Sequence, residues 1–109
     1  MMAYSKSQSR MFRGVLVAAV AFWFSPPVNA ADVYNGKTVY NSYCQGCHGT
    51  NGRGEMPGTP NFSRGGALMK PDISLFRHIS EGKNAMPGFR GVLSEREILD
   101  VITYIRTLF

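Results

Sequence analysis

Cys44-Gln45-Gly46-Cys47-His48 is the stretch that decides how the rest of this chain is read. Two thiols three positions apart, followed at once by an imidazole, can attach a haem covalently. The sulfurs add to the two vinyl groups of the porphyrin. His48, the next residue, is carried under the ring to offer its nitrogen to the iron. A thioredoxin-like dithiol would need a βαβ pattern around it, and the residues before Cys44 read as helix. A zinc site could recruit Cys44, Cys47, His48 and His78. Adjacent Cys47 and His48 rarely share one tetrahedral ion, however, and no second ligand pair has finger spacing. A plain disulfide would leave His48 unexplained. The expected cofactor is one haem c, bound through Cys44 and Cys47, with His48 as an iron ligand.

The chain upstream supplies the compartment. Met1–Arg13 carries Lys6, Arg10 and Arg13 and no acid, and Gly14–Phe24 is an apolar run of eleven residues. Ser25-Pro26-Pro27 ends it, and Val28-Asn29-Ala30 follows. A basic head, a short apolar centre and small residues before a cut describe a secretory signal peptide. We place the cut after Ala30, with Ala31 as second choice. A spanning helix needs about 20 apolar residues, so an uncleaved anchor is disfavoured. The expected organisation is a leader over residues 1–30 and a monohaem domain over residues 31–109. Such a product has no stable membrane insertion. It would be periplasmic in a bacterium, where covalent chemistry at cysteine is permitted. A domain of 79 residues seldom buries enough apolar surface without a cofactor, metal or staple.

Downstream and upstream of the motif the pattern is helical. Val33–Gln45 places Val33, Gly36, Val39, Tyr40 and Tyr43 on one face. Gly46–Gly66 holds seven glycines with Pro57 and Pro60, a density that reads as a long functional loop. Pro71 and Asp72 open a short helix to about Glu81, with Ile73, Phe76 and Ile79 as its apolar stripe and Gly82 as its stop. Lys83–Leu93 is a second loop containing Met86-Pro87-Gly88. Ser94-Glu95-Arg96-Glu97 is a capping box. Ile98, Val101, Ile102, Ile105 and Leu108 form the stripe of a last amphipathic helix. No period-2 segment of useful length occurs. The fold class is all-α, three to four helices separated by glycine-rich loops.

Gly36, Tyr40 and Cys44, four residues apart, with Val101 and Tyr104 near the C-terminus, resemble the first and last helices of the class I c-type cytochromes. The resemblance covers about residues 33–109. It implies a cytochrome c fold wrapped around one covalently attached haem, with the N- and C-terminal helices crossing. The bare Gly36 would let the two backbones approach. It further implies a Pro-Asn pair, here Pro60-Asn61, after the haem motif, and a second iron ligand in Met86 before the last helix. Spacing supports the same methionine. Met56 lies only eight residues past His48, whereas 37 residues separate His48 from Met86, enough to circle the ring. Met69, Met56 and His78 stay open as alternatives, and His78 reads as a solvated surface residue. The resemblance nominates the Pro60 carbonyl, with Pro57 as a local rival, to accept the second nitrogen of His48. Arg53, Arg64, Lys70 and Asn61 are candidates for the haem carboxylates.

Two strong axial ligands leave iron no open site, so the expected activity is one-electron cycling between Fe(III) and Fe(II) rather than catalysis. The expected role is a periplasmic carrier shuttling electrons between transient redox partners as a monomer. The alternatives are a haem c subunit of a periplasmic dehydrogenase or reductase, or a haem sensor or peroxidase. The chain's 12 basic and 7 acidic residues give a formal charge of +5. Lys6, Arg10 and Arg13 leave with the leader, and nine bases against seven acids give +2. Two ionised haem carboxylates would bring that near zero. The basic character is no evidence for nucleic-acid binding. Met56, Pro57, Met86, Pro87 and Phe89 offer an apolar rim for a small, transient interface.

Overall fold

The computed structural model of the protein describes residues 29–109. The expected leader lies outside the described residues except for Asn29 and Ala30. The described chain is helical, as expected. Helix α1 spans Val33–Tyr43, the short α2 spans Gln45–His48, α3 spans Asp72–Glu81 and α4 spans Glu95–Ile105. Three single 3₁₀ turns, Phe62–Arg64, Gly66–Leu68 and Arg106–Leu108, complete the order. Among the described residues no helix is long and apolar enough to cross a membrane.

Each boundary has a local cause. Asp32 caps α1 by accepting the Tyr34 and Asn35 amides at 2.8 and 3.2 Å, which satisfies donors that a helix start leaves free. The first helix ends two residues earlier than the sequence predicts. Cys44 departs from the helical path at φ −115°, and the chain restarts as α2. The front of the expected 46–66 loop is therefore helical, which sets Cys47 and His48 on a rigid turn. Gly82, at φ +73°, stops α3. The Ser94–Glu97 capping box is formed in both directions.

Helices α1 and α4 cross with their backbones in contact. A β-carbon on Gly36 would lie 2.0 Å from the Asp100 carbonyl oxygen and 3.0 Å from Tyr104 Cβ. The Tyr40 and Tyr104 rings pack beside the crossing, centroids 5.3 Å apart and tilted by 57°. Asp100, only 2% exposed, accepts the Asp32 amide and the Asn35 carboxamide, each at 2.7 Å. Arg96 lies 3.5 Å from the same carboxylate and donates to the Asn29 and Ala30 carbonyls. The start of the described chain is thereby tied to the start of α4.

The apolar core joins Val39 and Tyr40 of α1 to Ile98, Val101, Ile102 and Ile105 of α4, then runs on to Leu68, Leu75, Ile79, Phe89 and Leu93. One expected stripe is out of phase. Ile73 is 65% exposed while Leu75 is buried. Leu75 and Ile79, four apart, define the inner face of α3, and Ile73 falls to its side.

Candidate functional site

The core does not close on itself. A cavity of about 510 Å³ opens between α2, α3, α4 and the two loops, a volume in the range of cofactor pockets. Leu68, Leu75, Ile79, Phe89, Val101 and Ile105 give it an apolar wall. Cys44, Cys47, His48 and Met86 all line it, so the motif and the methionine 38 positions later meet at one site. Cys44 is half-buried, Cys47 is exposed, and neither is in a disulfide. Burial pushes the Cys44 thiol up to about 11, with the neighbouring Cys47 adding to the effect.

His48 is buried, and burial followed by the charge of His78 lowers its pKa. Desolvation thus keeps the imidazole neutral, with a nitrogen lone pair to donate. The ring stacks on Phe62 with centroids 4.9 Å apart and planes 14° from parallel. Its Nδ1 is the one buried side-chain polar atom without a hydrogen-bond partner among the described residues. The expected bond to the Pro60 carbonyl is therefore not present, although Pro60 lines the cavity. Pro57, the rival, also lines it without bonding the ring. Loop packing explains the position of Pro60. Its carbonyl borders Gly54, where a β-carbon would approach it to 3.2 Å.

Met86 sits in a tight turn closed by reciprocal bonds with Lys83, each 3.0 Å. The Phe89 and Arg90 amides donate to the Ile79 and Ser80 carbonyls at 3.0 and 3.1 Å, fastening this strap to the end of α3. Gly82 and Gly88 allow the approach. A β-carbon on Gly88 would meet Glu81 and Ser80 backbone atoms at 2.8 Å, and one on Gly82 would meet the Gly88 nitrogen at 2.5 Å.

Other expected residues are redistributed. Met69 is 85% exposed and lies away from the cavity, whereas Met56 lines it at 47% exposure. His78 is not a solvated surface residue. It is half-buried on the cavity wall, because it lies three residues from Leu75 on the inner face of α3. Asn61 does not reach the cavity. Its carboxamide oxygen accepts the Ser63 amide and hydroxyl at 3.0 and 2.5 Å, capping the first 3₁₀ turn. Of the basic candidates Lys70 lines the cavity and Arg53 and Arg64 do not, while Lys83 joins it unforeseen. No Asp or Glu is among the described lining residues. Phe62 was missed altogether. Its signal was its place directly after Pro60-Asn61.

Two free thiols, a neutral buried imidazole, a thioether and an apolar cavity free of acids fit a covalently tethered haem whose carboxylates need cations. A family model described as "Cytochrome C oxidase, cbb3-type, subunit III" matches residues 31–105. The chain belongs to the class I c-type cytochromes. Cytochrome c6 of Nostoc sp. is 31% identical over 99 residues, covering 82% of each chain. Cytochrome c6 of Thermostichus vulcanus is 32% identical over 102 residues, covering 88% of this chain and 89% of its own. The solved cytochrome c6 of the diatom Phaeodactylum tricornutum superposes with a TM-score of 0.58 at 32% identity, covering 71% of this chain and 93% of that one. The cytochrome c fold and a single covalently attached haem c follow for this cytochrome.

Proposed function

We propose that this cytochrome is a periplasmic, monomeric one-electron carrier in which Cys44 and Cys47 tether the haem and His48 and Met86 ligate its iron. The bound group supplies an iron that alternates between Fe(III) and Fe(II). The observation that carries the reading is the convergence of those four side chains on one apolar cavity. His48 offers a neutral nitrogen because burial disfavours its cation. Met86 offers a soft, uncharged sulfur, which favours the reduced iron and raises the potential. The strap from Lys83 to Arg90 fixes that sulfur through backbone bonds to α3. The Leu68, Leu75, Ile79 and Phe89 wall excludes water from the site. Lys70 and Lys83 supply cations for the haem carboxylates.

Electrons enter and leave where the cavity meets solvent, beside the exposed Met56, Pro57, Ala85 and Pro87. These four residues are uncharged and suit brief encounters with more than one redox protein, while the exposed Lys70 and Lys83 also line the cavity. The match to cytochrome c6 over most of both chains supports a carrier over a subunit of a larger enzyme.

A reduced-minus-oxidised spectrum with a pyridine haemochrome assay on denatured protein tests the tether. Haem should stay with the polypeptide, and haem lost on denaturation would overturn the assignment. Met86→Ala should abolish the weak sulfur-to-iron band at the red end of the oxidised spectrum. A band left intact would assign the second ligand elsewhere.

A further inference from the structure

We propose that Phe62 is the positioning residue for the His48 imidazole, setting the plane in which that ring meets the iron. The inference rests on His48 being the iron ligand. An imidazole turns about a soft sp³–sp² torsion, which staggered wells do not fix. Metal-bound histidines are usually held by a hydrogen bond at the second nitrogen. Here that nitrogen, Nδ1, is buried and has no partner among the described residues. A face packed against the ring constrains the same rotation. Phe62 lies against it, 14° from parallel at 4.9 Å, within the range where offset-stacked rings attract.

The backbone of Phe62 is held in place by its turn. Its amide donates to the Gly52 carbonyl at 2.7 Å, and its carbonyl accepts the Gly65 amide at 3.0 Å. Asn61 caps the turn it opens. Gly52, at φ +69°, leaves the space the ring needs. A β-carbon there would stand 3.0 Å from Phe62 Cδ2 and 2.9 Å from Leu108 Cδ1. Leu108 of the final 3₁₀ turn thus backs the Gly52–Phe62 pair. The last turn of the chain is linked through packed atoms to the plane of the imidazole. Rotation of the imidazole out of this plane would press on the Phe62 ring, whose backbone is held by its own turn.

The plane of an axial imidazole sets how unpaired spin spreads over a ferric haem, which proton NMR reads directly. The haem-loaded protein should be compared with Phe62→Leu and Phe62→Met, which keep bulk but lose the flat face, and with Phe62→Tyr, which keeps it. The chain has only two histidines, so selective histidine labelling separates His48 from His78. The Leu and Met variants should change the order or spread of the four hyperfine-shifted haem-methyl signals and move the His48 ring signals. Phe62→Tyr should restore the wild-type pattern. Far-UV circular dichroism and covalent haem content confirm folding in each. Wild-type spectra retained in both the Leu and Met variants would overturn the proposal. Absence of hyperfine-shifted His48 signals from the wild-type protein itself would instead remove the ligand reading beneath it.

Discussion

The crossing of α1 and α4 and the cavity beside it share residues of both helices and obey opposite rules. At the crossing, backbone touches backbone at Gly36, and the buried carboxylate of Asp100 has both oxygens occupied by donors from Asn35 of α1 and its cap Asp32. At the cavity, the residues beyond the helices come from loops, a buried nitrogen of His48 lacks a partner, and two thiols stand free. The first region is finished by the polypeptide alone. The second is open, and it is where we propose that the haem sits. A small domain can afford such an opening only if another part of it is packed without slack. The crossing supplies that part, and it lies next to the cavity, since Val101 and Ile105 belong to both.

If the crossing is closed in this sense, it should break most easily by addition. Gly36→Ala places a methyl 2.0 Å from the Asp100 oxygen and 2.6 Å from its carbon. Backbone cannot yield as a side chain can, so the helices must part. We expect a loss of about 3 kcal/mol, at the upper end for overpacked sites, read as a lower denaturant midpoint of the haem-loaded protein. A midpoint within error of wild type would show that the crossing has slack.

The strap over the cavity should respond differently to the same chemical change. Gly88→Ala brings a methyl to 2.8 Å of Glu81 and Ser80 backbone atoms, but one of the partners is a loop able to move. The expected loss is about 1–2 kcal/mol, with a second effect absent from the first variant. Displacing the strap draws the Met86 sulfur from its place, so the red sulfur-to-iron band should weaken while helix content holds. If Gly36→Ala weakened that band more than Gly88→Ala, the two regions would not be separable.

How much of each region was legible follows the same division. The Ser94–Glu97 box, the Gly82 stop and the Cys44–His48 motif are local patterns readable along the chain, whereas the approach at Gly36, a contact with Asp100, came from family likeness. Asp100 was not readable, because its burial comes from donors at Asp32 and Asn35, more than sixty positions away. In its own helix it reads as an ordinary polar residue. The α3 stripe was legible only in part. A phase taken from Ile73 turns His78 outward, whereas the phase of Leu75 and Ile79 turns it to the cavity. Periodicity gives a face up to a rotation, and only the tertiary partner chooses between adjacent phases. Asn61 and Pro60 were placed from family likeness, and of the two only Pro60 lines the cavity. Asn61 spends its oxygen on Ser63, a local bond that competes with any distant one.

Tyr40 stands on the border between the two regions and gives the finest test of the comparison. It lines the cavity, belongs to the crossing, and donates its hydroxyl to the Gly49 carbonyl at 2.6 Å just past His48. Burial, foremost, pushes its pKa from 10.0 up to about 12. A raised value means that the unfolded chain releases this proton first as the pH rises. The stabilisation from the neutral phenol is therefore complete below pH 10 and disappears progressively between about pH 10 and 12. Tyr40→Phe removes both the bond and the titration. Below pH 10 it should lower stability by about 1 kcal/mol, since it leaves the Gly49 carbonyl without its donor. Between pH 10 and 12 the gap from wild type should narrow, because the variant has no phenol to ionise there. Urea midpoints of the two haem-loaded proteins across that window measure it. A gap that stayed constant through pH 12 would show that the phenol titrates alike in both states, and that the border is open to water.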